Sequence, residues 1–216
     1  MSKRRKKDSK ESKRPRFQIL DDFDEEANEG GASSQLEIFR ISQDEKPGVI
    51  FTRQHQIVQV HYCNDPEVKG YVVCNNGEGS DNCVLCQIGR QKQKKLLFPI
   101  VSLETEDVEV LAVSNSLRPN ALLPQIQNVL ESGKKCVTFF SREGYKYTLS
   151  VNDLEKEHRR RIASVIKLFR KAWKAQEIDL SAVYQRINNS TLANCMEIRK
   201  MLDLKGIDPF GGGDDD

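Results

Sequence analysis

The chain has 216 residues and a formal net charge of +2, the balance of 34 Lys and Arg against 32 Asp and Glu. This length suits one domain with a hydrophobic core plus tails, or two small domains, and it excludes a large multidomain enzyme. No run of about 18 apolar residues can span a bilayer, and no apolar stretch follows the basic N-terminus to make a signal peptide. The sequence therefore predicts a cytoplasmic protein.

Charge is strongly segregated at the two ends. The first sixteen residues carry nine Lys or Arg against two acids, whereas residues 21–29 carry six acids. We expect residues 1–35 to form a disordered arm, because they offer too little apolar surface to offset the entropy of ordering them. Residues 206–216 end in three glycines and three aspartates, which predicts a second, acidic and flexible tail.

Between the ends, alternating apolar residues first predict strands. In the first strand Val58 and Val60 fall on one face, while His61 and Cys63 fall together on the other. The predicted strands cover residues 55–63 and two hairpins at 96–113 and 136–151, about five in all, and a further short strand is predicted at 71–74.

Helical spacing takes over at two further places. A helix over 122–130 is predicted between the two hairpins. Asn152 is predicted to cap the next helix, with Glu155 three positions on. The apolar stripe of that helix consists of Ile162, Val165, Ile166, Phe169 and Trp173. Shorter helices are predicted around 182–187 and 192–202, which completes an α+β body.

Three of the six cysteines lie within thirteen residues, a grouping typical of a metal site in a reducing compartment. Cys83 and Cys86 have the two-residue gap that lets both thiolates of one turn reach the same ion, at about 2.3 Å each. Cys74 ends a short strand, and a polar, glycine-rich loop can bring it back to the metal. The fourth ligand is either His61 or Cys63, because both share a strand face just upstream and both ligand sets are ordinary for zinc.

One structural zinc ion is the interpretation that this pattern favours. A catalytic zinc would leave an open coordination position near a general base, and no His-x-Glu or His-Glu-x-x-His pattern occurs. A zinc that stabilises a small, loop-rich β domain explains the same cysteines, so we predict no catalytic residue and no enzyme activity. The alternative, three buried thiols packed as small hydrophobes, fits poorly with the polar loop around them. Cys136 and Cys195 are predicted to be core residues outside the site.

A family resemblance rests on this ligand pattern. The segment from His61 through Cys74 to the knuckle Cys83-x-x-Cys86, with the hairpin beyond it, resembles the zinc-containing single-stranded DNA-binding (helix-destabilising) proteins of T-even-like bacteriophages. The order of strands, helix and hairpin after the knuckle is also similar, so the resemblance covers about residues 50–152.

The resemblance implies a fold and a function. It favours His61 over Cys63 as the fourth ligand, and it implies an OB-like β-barrel at 36–152 with an inserted zinc subdomain at about 61–90, followed by a helical region at 153–205. It further implies a noncatalytic protein that binds single-stranded DNA in replication, recombination or repair. Its location would be the cytoplasm of a bacterial or phage-infected cell.

A single-strand binder needs cations along the phosphates and flat side chains on which bases stack. The predicted DNA-binding residues are Arg53, Arg90, Lys92, Lys94, Lys95, Phe140, Arg142 and Lys146. The alternative is that the lysines form a merely solvated surface and that aromatic residues of the last hairpin belong to the core. The basic face of the helix at 159–174 either extends the phosphate track or is itself a solvated helix face.

The acidic end resembles the tips of bacterial single-strand binders, which recruit replication or repair enzymes. On that resemblance Phe210, Asp214, Asp215 and Asp216 are predicted to bind a protein partner, and acidic solubilisation is the alternative. A zinc-stabilised RNA-binding or transcription-associated adaptor is the alternative function, because an OB-type fold and basic arms serve RNA equally well. A zinc nuclease is disfavoured, since no constellation of carboxylates and histidine is visible.

Overall fold

The structure, a computed structural model, describes residues 36–42, 45–76, 83–118, 121–133, 136–144 and 146–208. Within them it contains a seven-stranded, mostly antiparallel sheet with helices packed against both of its faces, which confirms the α+β prediction. The predicted N-terminal arm and the last eight residues of the predicted tail lie outside the described residues. None of the described helices has the length and apolar character that crossing a bilayer requires.

The described elements follow the predicted order of strands, inserted helix, hairpin and C-terminal helices. The strands are β1 (Gly48–Phe51), β2 (Gln56–Asn64), β3 (Lys69–Val73), β4 (Lys92–Ser102), β5 (Val108–Ser114), β6 (Cys136–Glu143) and β7 (Lys146–Asp153). The helices are α1 (Val84–Gln87), α2 (Leu122–Glu131), α3 (Lys156–Lys174), α4 (Asn189–Asn194) and α5 (Met196–Lys205), with a 3₁₀ helix at Leu180–Val183.

The sheet is organised around β4. The first half of β4 pairs with β2, its last residues pair with β1, and its other edge pairs with β5. The strand order is β3-β2-β4-β1-β6-β7, with β5 joined to β4 outside this path. Because the path ends at β3 and β7, the sheet of the described residues is open. The closed OB-like barrel stays a prediction.

Side chains of β4 alternate between two cores on opposite faces of the sheet. Leu97 and Val101 belong to a core that α3 covers, whereas Phe98 and Ile100 belong to a core that α2 covers. The apolar stripe predicted for α3 covers the first core with Ile162, Val165 and Phe169 buried and with Ile166 and Trp173 partly buried. A strand buried on both faces needs apolar residues at successive positions, which explains the long apolar run of β4.

The start of α3 differs from the prediction. Asn152 does not cap this helix, because it pairs with Val137 in the ladder between β6 and β7 and its backbone is therefore extended. The strand continues to Asp153, and Glu155 occupies the N-cap position without a capping hydrogen bond from its side chain.

The two helices predicted after α3 also differ in detail. The first is the short 3₁₀ helix, and the second divides into α4 and α5 at Cys195, whose backbone is extended. Asp65 supplies a physical reason for this division. Its carboxylate accepts a hydrogen bond of 2.9 Å from the backbone N–H of Glu197, which satisfies a free donor in the first turn of α5.

The structure contradicts the prediction that Phe140 contacts DNA. Its side chain is fully buried in the core under α2, with its ring centroid 5.9 Å from that of Phe39 and 6.4 Å from that of Phe51. A ring enclosed in this way has no free face on which a base could stack. Phe140 is therefore a core residue, because α2 covers the sheet face on which it lies.

The substitution Phe140→Ala should lower the free energy of unfolding by about 3–5 kcal/mol, because it removes buried apolar area and leaves a cavity. Urea denaturation followed by circular dichroism measures the change. The control is Leu168→Ala, at an exposed position of α3, which should change the free energy of unfolding by no more than about 0.5 kcal/mol. Equal effects of the two substitutions would contradict the assignment of Phe140 to the core.

Candidate metal centre and nucleic-acid surface

One face of β2 is exposed to solvent at the start of the strand and buried at its end. Ile57 and Gln59 are exposed at one end of that face, whereas His61 and Cys63 are buried at the other end. Apolar residues of α1, α4 and α5 cover the buried end of this face. They include Leu85, Leu192, Ile198 and Leu202. β2 therefore contributes side chains both to the core under α3 and to a third core, which we call the metal-end core.

Four metal-ligating side chains meet in this region. His61 Nε2 lies 3.3 Å from Cys86 Sγ and 3.7 Å from Cys83 Sγ, and Cys74 Sγ lies 3.7 Å from Cys86 Sγ. All four ligand atoms lie within 4.8 Å of one another. Two sulfurs that each bind one ion at about 2.3 Å with a tetrahedral angle are about 3.8 Å apart, so the spacing fits a shared ion. The cluster could hold one metal ion.

The structure brings His61, rather than Cys63, to the three cysteines. Cys63 lies two residues further along β2, opposite Gly70, and its side chain is fully buried in the metal-end core. Cys136 and Cys195 are also buried and lie outside the group of four, as predicted for core residues.

Backbone hydrogen bonds fix the three segments that carry the ligands. The N–H of Cys74 donates to the carbonyl of Gln59 at 2.8 Å, which continues the ladder between β2 and β3 as far as this ligand. Gly89 follows the C-terminus of α1 with a φ of +83°, and the N–H groups of Gly89 and Arg90 donate back to the carbonyls of Cys86 and Leu85. This is a Schellman ending, in which glycine adopts the left-handed backbone that turns the chain towards β4.

Two asparagines form hydrogen bonds that hold the segments of the cluster in place. The sequence did not predict a role for either of them. Asn76 Oδ1 accepts a hydrogen bond of 3.0 Å from the N–H of Cys83, and its Nδ2 lies 3.8 Å from Cys86 Sγ. Asn75 Nδ2 donates to the carbonyl of Ile187 at 2.7 Å. Both residues follow Cys74 in a polar segment, so the sequence alone indicated only a turn there.

The two cysteines of the knuckle differ in acidity. Burial by itself raises the pKa of the Cys83 thiol, but hydrogen bonds with His61 and with nearby backbone groups outweigh it and lower this pKa from 9.0 to about 6. Burial, a hydrogen bond with Cys74 and the charge of Cys83 raise the pKa of Cys86 to about 12. Without a metal, the pair therefore holds one thiolate and one thiol at neutral pH.

Substitution of a cluster cysteine should abolish stable metal binding. We expect the wild-type protein to retain one zinc ion per chain after dialysis, and Cys86→Ala to lose affinity by more than the roughly 10–100-fold that loss of an outer-shell partner costs. Elemental analysis and competition with a chromogenic chelator measure both quantities. Cys63→Ala removes a sulfur from the same core and should retain the ion. Equal metal content in the two variants would refute the assignment of these four ligands.

Metal binding should release protons near neutral pH. The Cys86 thiol, with its pKa of about 12, must lose its proton to become a ligand, so at least one proton leaves per ion bound. The logarithm of the affinity should therefore rise by at least about one per pH unit and fall as the solution is acidified. Titration calorimetry in two buffers of different ionisation enthalpy measures the proton count, and identical heats in both would contradict this expectation.

Three of the predicted DNA-binding cations lie on or next to an exposed sheet surface. Lys92 pairs with His61 across the β2–β4 ladder, and Lys94 pairs with Gln59. Both lysines and Gln59 are exposed, whereas His61 is buried. Ile57 continues the surface with 59% of its side chain exposed. We call the group Ile57, Gln59, Lys92 and Lys94 the β2–β4 face. Arg90, also exposed, precedes β4 directly.

Lys95 differs from this prediction because it lies on the opposite face of β4. It is only 8% exposed, and its Nζ donates to Ser114 Oγ at 2.9 Å and to the hydroxyl of Tyr71 at 3.4 Å. Its amine also lies 4.5 Å from the ring centroid of Tyr71, which is in edge contact with Tyr62. Tyr62 is 46% exposed and offers a flat side chain that the sequence reasoning did not propose.

The remaining predicted DNA contacts lie elsewhere. Arg53 is exposed between β1 and β2, and its guanidinium donates to the carbonyl of Gly133. Arg142 and the exposed Lys146 lie on the β6–β7 hairpin, which β1 separates from β4 in the sheet order. Arg142 is held by the carbonyl of Gly144 at 2.9 Å. The predicted partner-binding residues Phe210, Asp214, Asp215 and Asp216 fall outside the described residues.

Comparisons of the chain with protein-family models, with curated proteins and with solved structures find no match. The case for a function therefore depends on the geometry of the cluster and of the surfaces around it.

Proposed function

We propose that the chain is a noncatalytic single-stranded DNA-binding protein of replication, recombination or repair, stabilised by one structural zinc ion. The observation that carries the proposal is the pairing of Lys92 with His61, which joins the exposed β2–β4 face to the metal cluster. The OB-type barrel, the zinc subdomain at about 61–90 and a protein partner for the acidic tail belong to the same proposal.

Zinc is supported by the chemistry of the ligands. One imidazole nitrogen and three cysteine sulfurs are soft and borderline donors, which suit zinc rather than magnesium or calcium. Four protein ligands fill a tetrahedral shell and leave no position for substrate, which favours a structural role. The ion would join β2, the end of β3 and α1, the three segments that carry the four side chains.

A nucleic-acid strand is supported by the composition of the β2–β4 face. Lys92 and Lys94 provide positive charge for phosphates, and no carboxylate of the described residues forms an ion pair with either of them. The exposed Ile57 supplies apolar surface for sugars and bases on this face. Positive charge beside exposed apolar surface can accept unpaired bases, which a duplex keeps stacked inside. Tyr62 is exposed on the opposite face of β2 and is not part of this surface.

Fluorescence anisotropy of a labelled mixed-sequence DNA strand tests the proposal. We expect the protein to prefer this strand over duplex and RNA competitors, and to lose affinity steeply as salt increases. The double variant Lys92→Gln, Lys94→Gln should reduce the slope of log affinity against log salt by about 1.4, since each phosphate contact to a single strand contributes about 0.7.

The matched control is Lys46→Gln with Lys69→Gln, which removes two exposed lysines outside the β2–β4 face. This control should leave the slope close to that of the wild type. Absence of strand binding at low salt would refute the proposed function. Tighter binding of the RNA competitor would identify RNA, rather than DNA, as the ligand.

A further inference from the structure

A large basic cleft lies between α3, the end of α2 and the strands β1 and β6. Its volume is about 1050 Å³, at the upper end of the roughly 300–1,000 Å³ that small-molecule sites occupy. Apolar side chains such as Ile50, Leu130 and Ile166 form part of its lining. Six cations line it as well: Arg53, Arg159, Lys167, Arg170, Lys171 and Lys174. We call this feature the α3 cleft.

The charges of the α3 cleft are almost uncompensated within its lining. Among the described residues that line the cleft, Asp153 is the one carboxylate. The guanidinium groups are instead held by backbone carbonyls, Arg159 by that of Leu154 at 3.0 Å and Arg170 by that of Thr52 at 3.3 Å. A neutral carbonyl orients a guanidinium without cancelling its charge. The cleft therefore presents a concentrated positive potential to an incoming ligand.

The sequence of α3 distinguishes this surface from an ordinary solvated helix face. Such faces usually mix acids with lysines at spacings of three or four residues. In α3 no acid occurs from Ile162 to Lys174. Among the described residues, the ion pairs of α3 involve only its first turns, where His158 and Arg161 contact Glu106 at 3.1 and 2.6 Å.

The spacing of the cations indicates an extended anion. Lys167, Arg170, Lys171 and Lys174 repeat at intervals of three and one residues, so they share one helix face over about 10 Å. With Arg159 the row extends over about 22 Å, far more than a single phosphate group occupies. A row of this length matches successive phosphates of a polymer.

We infer that the α3 cleft is a second contact surface for the sugar-phosphate backbone of a single nucleic-acid strand, beyond the β2–β4 face. The inference rests on the proposed function. α3 covers the opposite face of the sheet from Lys92 and Lys94, so a strand in contact with both surfaces would pass around the sheet. Arg53 lines the α3 cleft and lies four residues before Ile57 along the chain. The apolar lining would receive sugars or bases while the cations bind the phosphates.

The test compares strands of two lengths. Single-strand sites on one OB-type domain span about 4–16 nucleotides, so a strand of about 8 nucleotides reaches one surface and a strand of about 30 reaches both. The triple variant Lys167→Gln, Lys171→Gln, Lys174→Gln should lower the salt slope for the long strand by about 2, from three lost phosphate contacts. The slope for the short strand should change by less than half of that.

The matched control is Lys46→Gln, Lys156→Gln, Arg160→Gln, which removes the same charge at exposed positions outside the cleft. If the triple variant behaves like this control while Lys92→Gln, Lys94→Gln weakens binding, the inference is wrong and the proposed function stands. If the triple variant binds the long strand more tightly, an acidic segment of the chain occupies the cleft and the inference is again wrong. If the wild type binds no strand, the proposed function and the inference both fail.

A local readout complements the affinities. Ala163 and the adjacent Ser164 are both exposed, but Ala163 lines the cleft and Ser164 does not. Replacement of Ala163 by the photoreactive residue p-benzoylphenylalanine should give a crosslink to the long strand on irradiation, and the same replacement of Ser164 should give much less. Equal yields at the two positions would overturn the inference.

Discussion

The contact between His61 and the three cysteines is the constraint on which the metal end of the molecule depends. α1 has only four residues, whereas an isolated helix of fewer than about 12–15 is marginal in water. Its position is instead determined by contacts of Cys83 at its N-cap and of Cys86 within it, by the burial of Val84 and Leu85, and by the Schellman turn at Gly89. β4 begins three residues after that turn, so Lys92 and Lys94 project from a strand whose start depends on the cluster.

The sequence predicted the grouping of the three cysteines because the signal of Cys83 and Cys86 is local. Cys83 and Cys86 lie on one turn, and no long-range packing is needed to see that both sulfurs reach one point. The local sequence could not decide between His61 and Cys63, because both residues lie on the same face of one strand and periodicity does not distinguish them. It depends on helices more than a hundred residues away, which bury Cys63 among apolar side chains.

The errors in the prediction have a common origin in the two-sided burial of the sheet. Alternation along a strand shows which residues share a face, but it does not show whether solvent or a helix covers that face. Phe140 and Lys95 were both expected at the surface. Instead, α2 covers Phe140, and the amine of Lys95 donates hydrogen bonds to Tyr71 and Ser114. Asn152 failed as a cap for a similar reason, because a neighbouring strand kept its backbone extended.

The order in which the chain is synthesised gives the metal-end core a further significance. All four ligands lie between residues 61 and 86, but the apolar side chains that close over them include Leu192, Ile198 and Leu202. At about 5–20 residues per second, roughly 6–23 s pass between translation of Cys86 and of Leu202. During that interval the nascent polypeptide displays the thiols without their cover. An ion that this cluster binds would therefore reach it most easily during synthesis, before the C-terminal helices pack over the cluster.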